Sequence, residues 1–244
     1  MKPEIIHVAE TESTNNYIKE LNRAQRLTDG TLVYSDFQTT GRGQRGNSWE
    51  SEAGKNLLFS IIVHPTHILP VEHFIISQVT ALAVVQSLDE YISDVEIKWP
   101  NDIYFKDKKL CGILIENDLQ DGTIVNSTIG IGLNVNQLEF KSNAPNPISM
   151  AQITGEIVEH TPLLEAIQSN FMTLYESVLI DRERIESLYM ERLYRKKGFY
   201  KYSDQAGEEF DARIRGVEKD GLFVLELRNR EIKKFAFKEI NYIL

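Results

Sequence analysis

Apolar and polar positions along this chain follow two periods, and the switches between them divide it into elements. Ile5–Val8 reads as a short strand. Tyr17, Ile18 and Leu21 then recur at helical spacing behind Thr11-Glu12-Ser13-Thr14-Asn15-Asn16, which predicts a helix from Thr14 to about Arg26 with Ser13 as its cap. Thr31–Phe37 and Asn56–Val63 are strand-like, separated by a long polar loop. Phe74, Ile75, Val79, Leu82, Val85 and Leu88 predict a long amphipathic helix entered at Pro70 and ending near Tyr91. Val95–Lys98, Ile103–Phe105, Lys109–Glu116 and Thr123–Leu133 are strands, the third apolar on both faces and therefore central in a sheet. Asp121-Gly122 is the hairpin turn between the last two.

The second half changes character twice. Pro145 and Pro147 break the chain, and Ile148–Thr154 predicts a short helix stopped by Gly155. Thr161-Pro162 reads as a cap with Pro at the first helical position, ahead of Leu163, Leu164, Ile167, Phe171, Leu174 and Val178. A further helix covers about Arg182–Tyr194. After Arg195-Lys196-Lys197-Gly198 only short strands remain: Glu208–Glu218, Leu222–Leu227 and Ile232–Phe237. The expected architecture is α+β, with a mixed, mainly antiparallel central sheet and helices in residues 1–197 and a small SH3-like β-barrel in residues 198–244.

Composition narrows this little. A hydrophobic content of 42% with 26% charged residues is ordinary for a soluble globular chain. The N-terminus lacks the apolar core of a signal peptide, and no run approaches the roughly 18 apolar residues of a membrane span. The single cysteine, Cys111, excludes an internal disulfide and fits a reducing, cytoplasmic compartment. A net charge of −9 argues against non-specific nucleic-acid binding, so any anionic ligand must be met by local cations. Those cations cluster in the first half, at Arg42, Arg45, Lys55, Lys98, Lys106, Lys108 and Lys109.

Two stretches carry candidate chemistry. Lys98-Trp99-Pro100-Asn101-Asp102 and Lys109-Leu110-Cys111-Gly112-Ile113-Leu114 put two lysines and an aspartate at the lip of a buried strand, where charge needs a partner: a structural ion pair or a bound anion. Gly41-Arg42-Gly43-Gln44-Arg45-Gly46 matches G-x-G-x-x-G, but a loop rather than a helix follows, and Ile61-Ile62-Val63 some twenty residues on ends without an acid, so the dinucleotide reading fails. What remains is a glycine-bearing loop with guanidinium groups suited to phosphate or carboxylate. Gly130 and Gly132, just before Asn134, suggest a strand against which a ligand lies.

Ser13-Thr14-Asn15, Gln38 with Gly41-Arg42-Gly43, Lys98-Trp99-Pro100-Asn101-Asp102, Lys109 to Leu114 and Gly130-Ile131-Gly132-Leu133-Asn134 resemble, in order and spacing, the motifs of biotin protein ligases, and with the small β domain the resemblance covers nearly the whole chain. It implies an enzyme that joins biotin to ATP as biotinyl-5′-AMP and passes it to a lysine of a biotin carboxyl carrier domain, with Mg²⁺. The reaction needs positioning and charge neutralisation rather than a protein nucleophile. By resemblance, Ser13, Thr14, Asn15, Gln38, Gly41, Arg42, Gly43, Lys109, Gly112 and Gly132 bind biotin. Arg42, Gln44, Arg45, Lys98, Trp99, Asn101, Lys109 and Asn134 are assigned to the nucleotide. Lys109, Arg42, Lys98 and Asp102 carry the chemistry, and Asp102 either orients the acceptor lysine or assists Mg²⁺. A structural alternative makes Asp102 a turn cap or pairs it with Lys98.

Gln44 departs from the family, many of whose members have a basic residue there. Ser13 comes too early to leave room for the DNA-binding domain of the repressor type, so a monofunctional ligase that binds neither DNA nor membrane is expected; a homodimer is left open. The competing readings are a lipoate–protein ligase, whose loop pattern R-R-x-G-G-G is not found here, and a non-enzymatic binding module.

Overall fold

In the computed structural model, residues 3–141 and 146–243 are described, apart from the side chain of Arg45. Pro145, expected to break the chain, lies outside them. Seven strands form the main sheet: β1 (Ile5–Thr11), β2 (Leu32–Gln38), β3 (Leu57–Val63), β4 (Val95–Lys98), β5 (Asp102–Phe105), β6 (Lys108–Gln120) and β7 (Thr123–Leu133). Their order is β1-β2-β3-β7-β6-β5-β4, with β1 and β2 parallel and every other pair antiparallel. The β6–β7 turn puts Asp121 and Gly122 at φ 49° and 76°, the left-handed pair that a two-residue hairpin requires.

The two faces of the sheet are covered differently. One carries α1 (Thr14–Ala24), whose Ile18 packs with Leu27, Val33 and Ile62. The other carries α2 (Phe74–Leu88), α4 (His160–Ser177) and α5 (Arg182–Glu191), which build the main core with Phe59, Ile61, Ile129, Ile131 and Phe171. The expected amphipathic helix at α2 is instead buried all round, only Ser77 and Gln86 escaping burial. It lies between the sheet and two further helices, so no solvent-facing stripe is needed. With the 3₁₀ turn before it, Pro70–Leu88 is long and apolar enough to cross a membrane by length and composition, contrary to the sequence reading; 72% of that stretch is buried inside the fold, as befits a core helix.

Some helix starts also differ from expectation. Ser13 occupies the cap position of α1, but its side chain makes no capping bond. Helix α4 begins at His160 with Glu159 as its cap, two residues earlier than Thr161-Pro162 predicted. Between them α3 (Met150–Thr154) has a full capping box from Ser149 and Gln152 and ends on left-handed Gly155, φ 78°.

The C-terminal region forms a second, wholly antiparallel sheet of the SH3-like kind: β8 (Tyr200–Asp204), β9 (Glu209–Val217), β10 (Phe223–Leu227), β11 (Ile232–Phe235) and β12 (Ile240–Tyr242), ordered β11-β10-β9-β8-β12. Sequence reasoning missed β8 and β12, whose inward residues Tyr202 and Ile240 are separated by polar neighbours. Trp99 docks this sheet on the first: its ring stacks on Phe223 at 4.7 Å and its Nε1 donates to the Gly221 carbonyl at 3.1 Å.

Candidate active site

Strand register assembles the site. Lys98 pairs with Asp102, Asp102 with Gly112, Gly112 with Gly132 and Gly132 with Leu58, so one row crosses β4, β5, β6, β7 and β3. Directly opposed residues share a face of a sheet, and this face is the one α1 covers only in part. Between Ile103↔Cys111 and Tyr104↔Lys109 the register slips by one residue at Leu110. Such a bulge re-aims the side chains beside it. Here it brings the Lys109 amine over Gly112, 3.3 Å from where a Cβ would stand, and 2.7 Å from Asp102 Oδ1. Asp102 is therefore paired with Lys109, not with Lys98 as the structural alternative held.

Lys98 has a different environment. Its Nζ donates to the Tyr104 hydroxyl at 3.0 Å and lies 4.4 and 4.9 Å from the ring centres of Tyr104 and Tyr242. Burial pushes its pKa down; Asp102 opposes this, while the cations of Lys109 and Arg195 add to it. Cys111 is wholly buried, and burial drives its thiol pKa far up, so it is no nucleophile.

The start of α1 closes the site from above. Thr14 donates to Gln38 Oε1 from its backbone N–H (2.7 Å) and its hydroxyl (3.1 Å). The Ser60 hydroxyl joins Asn15 Oδ1 at 2.6 Å and Thr14 Oγ1 at 2.8 Å. A Cβ on Gly130 would stand 2.5 Å from that Asn15 oxygen. The glycine of β7 is what allows the amide to lie on the strand.

Gly112 and Gly132 form a floor, and the indole of Trp49 lies on it. A Cβ on Gly132 would stand 2.4 Å from Trp49 Cε2, and one on Gly112 would stand 2.8 Å from its Cζ3. The indole N–H is buried without a protein partner. The loop is held by the Trp49 N–H to the Gly41 carbonyl (2.9 Å) and by a bridge between Arg42 and Ser48. Arg42 reaches outward to Glu116 (3.1 Å) and Asn16 (2.8 Å).

Two cavities meet at this indole. The smaller, about 50 Å³, is enclosed by Ser13, Thr14, Asn15, Gln38, Arg42, Gly112 and Gly130 to Gly132. The larger, about 480 Å³, is bounded by Lys98 to Asp102, Asn134, Phe140 and Pro147, and by Phe237, Lys238, Asn241 and Tyr242 of the C-terminal region. Gly43, Gln44, Trp49, Asn101 and Lys109 border both. Gly41 borders neither, lying in an outer recess with Thr39, Thr40 and Glu116.

The predicted polar residues divide by what they are free to do. Asn101 Nδ2 donates to the Ile113 carbonyl at 2.9 Å and braces β6. Asn134 Nδ2 donates to the Ile148 carbonyl at 3.1 Å, leaving its Oδ1 buried without a partner as an acceptor for a ligand. Trp99 lines the larger cavity with its N–H already engaged. The Arg45 side chain lies outside what the structure describes. Among the described residues no cluster of three His, Cys, Asp or Glu could hold a metal ion. Asp102 and Glu50 are the carboxylates lining the larger cavity, a donor set that fits an ion delivered on nucleotide phosphates rather than a resident one.

Sequence reasoning missed Trp49, Glu116 and the C-terminal residues of the larger cavity. Trp49 had a signal, since two glycines on adjacent strands leave room for one flat ring. Lys238 and Tyr242 had none, because only the docking of the second sheet brings them here.

An α+β fold with a mainly antiparallel sheet, a glycine floor and paired Lys109–Asp102 defines a class. Residues 8–134 match the biotin/lipoate A/B protein ligase family, and the chain belongs to that family. The bifunctional ligase/repressor BirA of Bacillus subtilis (strain 168) is 30% identical over 220 residues, covering 87% of this chain and 66% of its own length. The biotin–[acetyl-CoA-carboxylase] ligase of Mycobacterium tuberculosis (strain ATCC 25618 / H37Rv) is 33% identical over 135 residues, 53% of this chain and 48% of that protein. The chain thus spans less than two thirds of the length of either relative. Among solved structures, a biotin protein ligase from Aquifex aeolicus in complex with biotin and ATP superposes with a TM-score of 0.80 over 98% of this chain and 97% of its own, at 24% identity, a likeness of fold.

Proposed function

We propose that this chain is an ATP-dependent biotin–protein ligase. The observation that carries the reading is the pair of cavities sharing Lys109 as a wall. A two-part ligand fits this plan, with biotin over the glycine floor, adenylate in the larger space and the carboxylate–phosphate junction at Lys109.

In the first step the biotin carboxylate attacks the α-phosphorus of ATP. A bond forms from carboxylate oxygen to phosphorus, the bond to the β-phosphate's bridging oxygen breaks, and pyrophosphate leaves. Lys109 neutralises charge at the junction and Arg42 borders the biotin side, while Lys98 and Gln44 line the larger cavity that takes the leaving phosphates. A cation in a half-buried site is worth more there than in water. Asp102 and Glu50, the carboxylates lining the larger cavity, would be the residues to hold a Mg²⁺ ion carried in on ATP, and that ion would supply further neutralisation of the phosphates.

In the second step a neutral lysine amine of the acceptor attacks the biotinyl carbonyl. The C–N bond forms, the bond to the phosphate oxygen breaks and AMP leaves. Asp102 accepts the proton that the amine sheds, and its ion pair with Lys109 holds it at the junction. The acceptor is a biotin carboxyl carrier domain and the compartment the cytoplasm, for which the lone buried Cys111 is the support. Residues 1–197 are the catalytic unit and 198–244 a second unit that closes the nucleotide side.

The smaller cavity has room for one or two waters at ~30 Å³ each, so biotin enters only when the Trp49 loop moves. Biotin-dependent exchange of pyrophosphate into ATP tests the assignment. Exchange with lipoate and none with biotin overturns it.

A further inference from the structure

The loop that carries Arg42 is anchored by a carboxylate which the reaction itself does not use. Glu116 lies on β6, two strand periods beyond Gly112 and on the same face of the sheet. Its carboxylate meets Arg42 as a fork, NH2 to Oε2 at 3.1 Å and NH1 to Oε1 at 3.4 Å. Asn15 Nδ2 donates to the same Oε2 at 2.8 Å, and Lys19 Nζ stands 3.4 Å away. Through Asn15 the chain of bonds continues to the Ser60 hydroxyl on β3. Four elements are joined at one side chain: the loop, α1, β6 and, through Asn15, β3.

An isolated exposed pair contributes little, because solvent screens it and two side chains must be ordered. This one differs in being a fork, which also fixes the plane of the guanidinium, and in having a carboxylate that is about a quarter exposed and further held by an amide and an ammonium. Burial alone would raise the Glu116 pKa; the Asn15 hydrogen bond and the Lys19 and Arg42 charges outweigh it and hold the group below its ordinary value.

We propose, on the basis of the ligase reading, that Glu116 is a positioning residue: it fixes Arg42, and through it the start of the 41–54 loop, at the rim of the biotin cavity before ligand arrives. Without this anchor Arg42 is a long, exposed side chain with a single further bond, to Asn16. Each biotin molecule must then order the loop itself, which weakens binding without altering the reacting atoms.

Glu116→Gln tests this, since it keeps the shape and an acceptor for Asn15 but removes the charge that holds the fork. The expected result is a 3- to 10-fold rise in KM for biotin and a similar acceleration of biotinyl-AMP release, with kcat for pyrophosphate exchange at saturating biotin within about twofold of wild type. Trypsin should cut the ligand-free variant after Arg42 several-fold faster than wild type, and a non-hydrolysable biotinyl-AMP analogue should protect both. Lys19→Met, which removes a partner of Glu116 that is not on the loop but leaves the Arg42 fork in place, should raise the biotin KM less than Glu116→Gln does. Wild-type KM and wild-type cleavage in Glu116→Gln overturn the proposal, as does a loss of kcat at unchanged KM. The cleavage rate without ligand reads the anchor even if no biotin-dependent exchange is found, so failure of the ligase reading is separately visible.

Discussion

Replacing Gly132 with alanine sets one methyl group against the Trp49 indole, and the outcome can be worked from the coordinates. The new Cβ would stand 2.4 Å from Cε2, 2.7 Å from Nε1 and 2.9 Å from Cδ2. Ordinary carbon contacts lie at roughly 3.5–4.0 Å, so the ring has to retreat by about 1 Å or more. The Gly132 backbone is extended and not left-handed, so no conformational strain accompanies the change and the cost is steric alone. Overpacking of this kind costs about 1–3 kcal/mol. For a chain of this length that corresponds to a melting temperature lower by roughly 2–12 °C. Calorimetry on Gly132→Ala, Trp49→Ala and the double variant isolates the contact: in the Trp49→Ala background the added methyl should cost close to nothing, giving a coupling of at least about 1 kcal/mol. Exchange assays on the same proteins should show the biotin KM rising in Gly132→Ala, because the methyl also intrudes on the floor. An equal loss of stability in both backgrounds would refute the reasoning, since the clash would then be with something other than the indole.

Lys109→Ala removes the 2.7 Å partner of Asp102 and the cation at the junction of the two cavities; adenylate formation should fall by two to three orders of magnitude in a single-turnover assay, whereas a binding module would keep its ligand affinity largely intact. Lys98→Met should separate stability from activity. Its half-buried ammonium is held at a cost, so unfolding free energy should be unchanged or higher by about 1 kcal/mol while exchange activity drops at least tenfold. The pH dependence has a definite sign. The folded pKa of Lys98 is depressed, so the unfolded chain binds more protons up to the ordinary value of 10.5; stability gains with pH over that interval, and urea titrations of wild type and Lys98→Met should converge as pH rises through it. Gln44→Arg should slow biotinyl-AMP release, because Gln44 borders both cavities and a cation there would oppose the adenylate; unchanged release in rapid mixing would count against any role for charge at that position.

Much of the architecture was legible because hydrophobic periodicity is local. Val95–Lys98 and Thr123–Leu133 were read to the residue, and Asp121-Gly122 was identifiable as a hairpin from its dipeptide alone. Helix α2 was located, but its burial was not, since a helix covered on all sides differs from an amphipathic one only by what later packs on it. Strand β8 escaped because its one wholly buried residue, Tyr202, sits among Lys201, Ser203 and Asp204.

The same division runs through the site. The sequence alone determined which residue types are available: two lysines and an aspartate at a strand lip, glycines on β6 and β7, arginines in a glycine loop, and a chain without a candidate nucleophile among its motifs. Those follow from composition and spacing within a few residues. Tertiary structure decided the partners. Asp102 pairs with Lys109 and not Lys98 because a one-residue bulge at Leu110 turns the lysine onto the site face. Arg42 meets Glu116 across 74 residues of chain, and Trp49 lies on Gly112 and Gly132, because strands and a loop distant in sequence close on one another. Lys238 and Tyr242 reach the larger cavity through the docking of a second sheet. Charges act over a few ångströms, and only the fold sets which groups come that close.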